Sequence, residues 1–185
     1  MEEEILLEAE ESMEKALLNL EERMKTVRTG RANPSSLDKV MVNYYGVATP
    51  LRSLANITVP EARQLLIKPF DKGALSGIEK GIYEANLGYT PNNDGETIRI
   101  VIPDLTEERR KELVKVAKNM SEDAKVSVRT ARQESLKDIK KAEDDKEISE
   151  DVKKDYETQL QKLIDEANKK IEEHFKQKEQ DIMKI

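Results

Sequence analysis

The chain has 185 residues, 38% of them charged, 37% hydrophobic and 4% aromatic, with no Cys, no Trp and a net charge of −6. That balance demands much surface per unit of core, as elongated helical proteins have. It excludes disulfide frameworks, cysteine-ligated metals and a large aromatic-lined ligand pocket. The acidic start MEEEILLEAEE has neither the basic region nor the apolar run of a secretion leader. No apolar stretch approaches the ~20 residues that span a bilayer, so a cytoplasmic protein with no membrane partner is expected.

Residues 3–29 carry apolar positions at Ile5, Ala9, Met13, Ala16, Leu20, Met24 and Val27. Steps of three and four keep them on one helical face, which predicts a helix. Gly30 stops it and Pro34 forbids continuation.

Residues 31–104 break the pattern: every Pro of the chain lies here. Strands are expected at 39–44, 57–59, 65–67 and 97–102, where β-branched residues and alternation occur. A short helix is expected at 74–86, with Leu75, Ile78, Ile82 and Ala85 inward. Gly73, Gly77 and Gly81 recur every four residues there, which predicts close packing of helix backbone on a sheet. Asn92-Asn93-Asp94-Gly95 reads as a turn.

A second helix is expected over 106–142, capped by Thr106, with the seam Leu113, Val116, Ala117, Met120, Ala124, Val128 and Ala131. Glu107 and Glu108 suit the positive end of its dipole. Ser149 can cap a third helix running to about Met183, with the seam Val152, Tyr156, Leu160, Leu163, Ala167, Ile171, Phe175 and Ile182. The short 142–149 connection makes helices two and three antiparallel. Three apolar stripes are hidden most simply in one bundle, in which the end of helix one, the start of helix two and the end of helix three meet. The fold class is therefore α+β: a long up-down-up three-helix bundle, residues 1–30 and 105–185, with a small α/β domain, residues 31–104, inserted after the first helix. The chain crosses between them twice, at Gly30-Arg31 and Pro103-Asp104, and two adjacent crossings suit a hinge.

No catalytic constellation is present: no Walker phosphate loop, no GxGxxG, no HExxH, no GxSxG and no EF-hand pattern. The single histidine, His174, reads as a solvated residue, and so do Asp144 and Asp145 beside Lys146. Tyr44-Tyr45 before Gly46 offers a ring to a base or a partner, or packs one ring on the strand and leaves the other half exposed. No enzyme activity, metal or cofactor is expected.

Charge is unevenly spread. Residues 1–30 hold four Lys and Arg against nine acids, residues 105–141 eleven against seven, and residues 142–185 nine against fourteen. One helix is basic and its two partners are acidic. Lys111, Lys118, Lys125, Arg129 and Arg132 recur at steps of seven, seven, four and three, aligned along one side of the second helix. Such a ridge can track a phosphate backbone. Periodicity alone favours a solvated face that pairs with the acidic helices, and the charge asymmetry narrows that preference without reversing it.

Several runs are similar to those of bacterial ribosome recycling factors: Val27-Arg28-Thr29-Gly30-Arg31-Ala32-Asn33-Pro34, Tyr44-Tyr45-Gly46-Val47-Ala48-Thr49-Pro50-Leu51, Leu105-Thr106-Glu107-Glu108-Arg109-Arg110-Lys111, Val128-Arg129-Thr130-Ala131-Arg132 and Asp145-Lys146-Glu147-Ile148-Ser149. The resemblance spans the chain and keeps the family's order. It implies an L-shaped, monomeric, non-enzymatic protein of roughly transfer-RNA proportions. Such a protein binds the bacterial ribosome after termination and, with elongation factor G and GTP, splits its subunits so that messenger and deacylated transfer RNA leave. The bundle would lie on large-subunit ribosomal RNA, and the insert would swing on the hinge. Arg129 and Arg132 match the family's principal RNA-contacting arginines, with Arg110, Arg28 and Arg31 as further candidates. Lys111, Lys118 and Lys125 join them from the ridge.

Overall fold

Three stripes of small and aliphatic residues at helical spacing, and one stretch of alternating β-branched residues, dictate two kinds of structure in this chain. The computed structural model describes residues 2–184. In chain order the elements are α1 (Glu2–Lys25), β1 (Met41–Tyr44), β2 (Val47–Pro50), α2 (Leu51–Leu54), β3 (Ala55–Glu61), β4 (Gln64–Pro69), α3 (Leu75–Glu84), β5 (Pro91–Asn93), β6 (Ile98–Val101), α4 (Glu107–Asp144) and α5 (Glu150–Met183). They fall into two compact units, Met1–Thr29 with Glu107–Ile185, and Gly30–Thr106.

In the first unit α1, α4 and α5 pack pairwise on one another. The buried face of α4 is Leu113, Ala117, Ser121, Ala124, Val128, Ala131, Ser135, Ile139 and Ala142. Most of these are small, so the helix axes approach closely. Ser121 is satisfied inside the seam, its hydroxyl donating to the Lys118 carbonyl at 2.7 Å. The expected seams need several corrections. Val116 stands outward, 43% exposed, because the observed steps average close to 3.6 residues and carry the seam past it. Met120 is only half-buried, as are Ile5 on α1 and Val152 and Phe175 on α5. On α5, Ile164 is buried in place of Leu163; both are apolar, and periodicity alone does not choose between a step of three and a step of four. Ser149 caps α5 as expected, its hydroxyl accepting from the Val152 amide at 3.3 Å.

α1 ends at Lys25, four residues before the expected stop. The Thr26 hydroxyl and amide both take the Arg23 carbonyl, at 2.6 and 3.1 Å, and the Val27 amide turns to Met24 instead. That competition tightens and closes the last turn. The end of α1 lies beside the interior of α4 and not its start, since Arg23 donates to Asp123 at 3.0 Å. Asp123 is sixteen residues past Glu107, roughly 24 Å at 1.5 Å per residue. The expected meeting of three helix ends is thus a meeting of two, the start of α4 and the end of α5.

In the second unit β3, β4, β6 and β5 form an antiparallel sheet in that order, and β1 pairs with β2 in a hairpin. Register sets Leu65 opposite Ile100 and Ile67 opposite Ile98. All four are fully buried, so one face of the sheet supplies the core. α3 packs on β1, and its glycines explain how. A Cβ on Gly77 would stand 3.0 Å from the Asn43 carbonyl oxygen, and one on Gly81 would stand 2.8 Å from that of Met41. Helix backbone therefore meets strand backbone directly. The sequence reading missed β2, β5 and the single turn α2.

The two chain crossings are held side by side on the β3–β4 turn. The Ala32 amide donates to the Ala62 carbonyl at 2.8 Å, and the Ile102 amide to the neighbouring Arg63 carbonyl at 2.7 Å. Arg63 and Asp104 form an ion pair. Beyond the two backbone ties lie Gly30, left-handed at φ +77° with Leu105 against it, and the outgoing Pro103 and Asp104, the latter held only through its side chain.

Candidate nucleic-acid interface

A helix of 38 residues presents a long ridge. At 100° per residue, Lys111, Lys118, Lys125, Arg129 and Arg132 fall within a sector of about 60°. The side chains along it do not behave alike. Lys125 is half-buried and held between Glu172 of α5 and Glu122. The Glu172 carboxylate raises the Lys125 pKa, and the hydrogen bond from Lys125 lowers that of Glu172. This lysine ties α4 to α5 and is not available to a ligand as it stands. Lys111 is exposed but pairs with Glu107 one turn away at 3.3 Å. Lys118, Arg129 and Arg132 are exposed, and among the described residues none has a side-chain hydrogen bond or ion pair. Of the two readings of the ridge, a direct ion pair with an acidic helix holds for Lys125, and Lys118 helps hold the Glu172 pKa down from further away.

Arg110 has a different task. Its guanidinium donates to the carbonyls of Ile182, at 2.9 Å, and Lys184, at 2.7 Å. It caps the C-terminal end of α5, where the helix dipole favours a cation. Arg28 is exposed just past α1, and Arg31 belongs to the inserted unit.

Two cations on the ridge went unrecognised in the sequence. Lys115 lies four residues after Lys111, and Lys140 eleven after Arg129. Both are exposed and fall close to the same sector. The signal was present at helical spacing, but Lys137 and Lys141 nearby diluted it. Beside Arg132 the structure also opens a groove of 310 Å³ between α4 and α5, with Leu136, Leu160 and Ile164 below and Glu157 and Gln161 on the far side. Only the fold brings these two helices together, so periodicity could not reveal it.

Of the other polar candidates, His174 and Tyr44 hold partners within the fold. His174 Nε2 lies 3.2 Å from Glu21 Oε1 and bridges α5 to α1, where the sequence reading had it solvated. Asp144 and Asp145 are exposed around the turn to α5, and the described residues contain no His, Cys, Asp and Glu cluster able to hold a metal. Tyr44 is half-buried and its hydroxyl donates to Asp71 at 2.9 Å, while Tyr45 crosses it edge-on at 4.5 Å and is 79% exposed. No helix among the described residues is long and apolar enough to cross a membrane.

Comparison with known proteins places this geometry in company. The family model described as ribosome recycling factor matches residues 20–183. The ribosome-recycling factor of Bacillus licheniformis is 53% identical over 182 residues, 98% of each chain. That of Bacillus subtilis is 52% identical over the whole of both chains. A solution structure of a ribosome recycling factor superposes with a TM-score of 0.80 at 38% identity, covering 100% of this chain and 98% of that one. The Thermus thermophilus factor, described with Escherichia coli elongation factor G on the E. coli post-termination complex, gives a TM-score of 0.66 at 39% identity and covers 99% of both chains.

Proposed function

The chain belongs to the ribosome recycling factor family, and from that premise we propose that it docks on large-subunit ribosomal RNA by the ridge of α4 and helps split the post-termination ribosome. The observation that carries this reading is the free pair Arg129 and Arg132. Two unpaired guanidiniums a turn apart on a rigid helix hold phosphates without first breaking an internal ion pair. Lys118 extends the contact along the rod. Lys111 and Lys125 contribute less because carboxylates already hold them.

The inserted unit acts as a lever. Its crossings are tied together on the β3–β4 turn, so it moves as one piece about Gly30-Arg31 and Pro103-Asp104. Elongation factor G, present with a relative on the post-termination complex, pushes this unit at the expense of GTP. The bundle is thereby driven against an inter-subunit contact, and messenger and deacylated transfer RNA leave. The chain works in the cytoplasm as a monomer and itself hydrolyses nothing.

The test is salt dependence. Binding to large ribosomal subunits should weaken as salt rises. The double variant R129A/R132A should lower the slope of log K against log salt by about 1–2, because two phosphates would no longer be neutralised. Each single substitution should cost about 1–3 kcal/mol where the guanidinium is desolvated on phosphate. An unchanged slope would remove both arginines from the interface.

A further inference from the structure

The groove beside Arg132 has features that a phosphate contact does not require. Leu160 and Ile164, 1% and 6% exposed, close its bottom, and half-buried Leu136 is the apolar side chain that a ligand there can touch. Its volume of 310 Å³ is at the small end of ligand pockets, which run roughly 300–1,000 Å³, and suits one flat heterocycle. The rim is asymmetric. Arg132 supplies free donors on the α4 side. On the α5 side Gln161 donates its amide nitrogen to Asp165 at 2.9 Å, which leaves its carbonyl oxygen as an acceptor. The Glu157 carboxylate, a second acceptor, has no hydrogen bond among the described residues, and the Lys153 ammonium, itself held by Glu143, lies within electrostatic reach of it. A carboxylate at this place is unfavourable for a surface that only tracks phosphates.

We propose that this groove receives one unstacked nucleobase bearing an exocyclic amine, whose own or adjacent phosphate sits on Arg132. The base edge enters the groove beside Leu136, its amine donates to Glu157 and to the Gln161 carbonyl, and its phosphate takes the guanidinium. Splayed-out single-stranded bases are read by hydrogen bonds to the base edge, and carboxylates accept from amino groups of bases. The inference rests on the docking of α4 on ribosomal RNA and adds a base-reading site to it. Uracil, which has no amine, is excluded.

Glu157→Ala separates the alternatives by sign. If the groove is only a surface near phosphates, removing a negative charge tightens binding or leaves it unchanged. If it holds an amino-bearing base, binding weakens, roughly tenfold. The measurement is affinity for large ribosomal subunits, with chemical probing of the RNA in the same complexes. Dimethyl sulfate reports adenine N1 and cytosine N3, and kethoxal reports the N1 and N2 edge of guanine. The expected result is weaker binding together with one nucleotide that the wild-type protein protects and E157A leaves reactive. Leu136→Trp, which fills the groove while keeping Arg132 and Glu157, should give the same change at the same nucleotide, with thermal melting checking the fold. Unchanged or tighter binding by E157A, or weaker binding with no nucleotide changed, overturns the proposal. Arg132→Ala, run in parallel, tests the docking itself: weaker binding there without an effect of E157A removes the base site and keeps the docking, whereas unchanged binding removes the docking.

Discussion

At the scale of single residues, similar side chains carry different duties, and the partner each one holds decides which. Arg110 and Arg132 both lie on α4, yet one caps α5 while the other has no partner among the described residues. Arg110→Ala should therefore lower stability by about 1 kcal/mol and change subunit affinity less than Arg132→Ala does, as thermal melting and filter binding would show. Carboxylates in the insert give it an acid limit. Asp71 is held below the ordinary carboxylate range, first by the Gly73 amide and then by the Tyr44 hydroxyl. Asp94 is held low by the amides of Thr97 and Glu96 and the Thr97 hydroxyl. A folded pKa below the unfolded one, about 3.9 for Asp, means stability that is present above that value and lost as pH falls through the lower folded one. Resistance to urea should thus weaken as pH drops from about 5 toward 2. Asp94→Asn should be less stable at neutral pH and flatter across this window. Tyrosine fluorescence is a suitable probe, since Tyr44, Tyr45, Tyr83 and Tyr89 lie in the insert and only Tyr156 in the bundle.

At the scale of elements, legibility followed the strength of the repeating pattern. α4 and α5 run for about ten turns each, and so many apolar positions at one spacing leave little ambiguity about helix or antiparallel pairing. What failed there was local: the choice of Ile164 over Leu163, and the early close of α1 by Thr26. The glycines of α3 were read for close packing on a sheet, and the backbone of β1 lies there. Short edge strands were harder. β5 is Pro91-Asn92-Asn93, turn residues by composition, and becomes a strand only because β6 offers it a partner. β2 is largely exposed and has no core face to mark it. The free state of Arg129 and Arg132 was likewise invisible, because ion pairing depends on which helix lies alongside. Gly81→Ala tests the helix–strand contact. Alanine favours the helix by about 1 kcal/mol, but its Cβ would meet the Met41 carbonyl at 2.8 Å. Overpacking costs about 1–3 kcal/mol, so a net loss of about 1 kcal/mol is expected in the tyrosine-monitored transition.

At the scale of the whole molecule, the account needs two units with separate work, one that holds RNA and one that moves. The sign asymmetry of the helices serves the first: net charge is negative, yet the positive charge is concentrated on α4, and long-range attraction to a polyanion follows that local distribution. The crossings serve the second. Asp104→Pro should stiffen the outgoing crossing and remove the ion pair to Arg63. It should leave subunit binding within about twofold, since the ridge is untouched, and should slow splitting, measured as the rate of subunit separation with elongation factor G and GTP. Normal splitting by that variant would exclude bending at Asp104 from the mechanism.

The most direct measurement is light scattering of post-termination bacterial ribosomes mixed with this protein, elongation factor G and GTP. A fall in scattering that requires all three components, and that R129A/R132A reduces in step with its weaker binding, is the predicted result. Ribosomes that bind the protein and elongation factor G yet keep their full scattering would contradict the account.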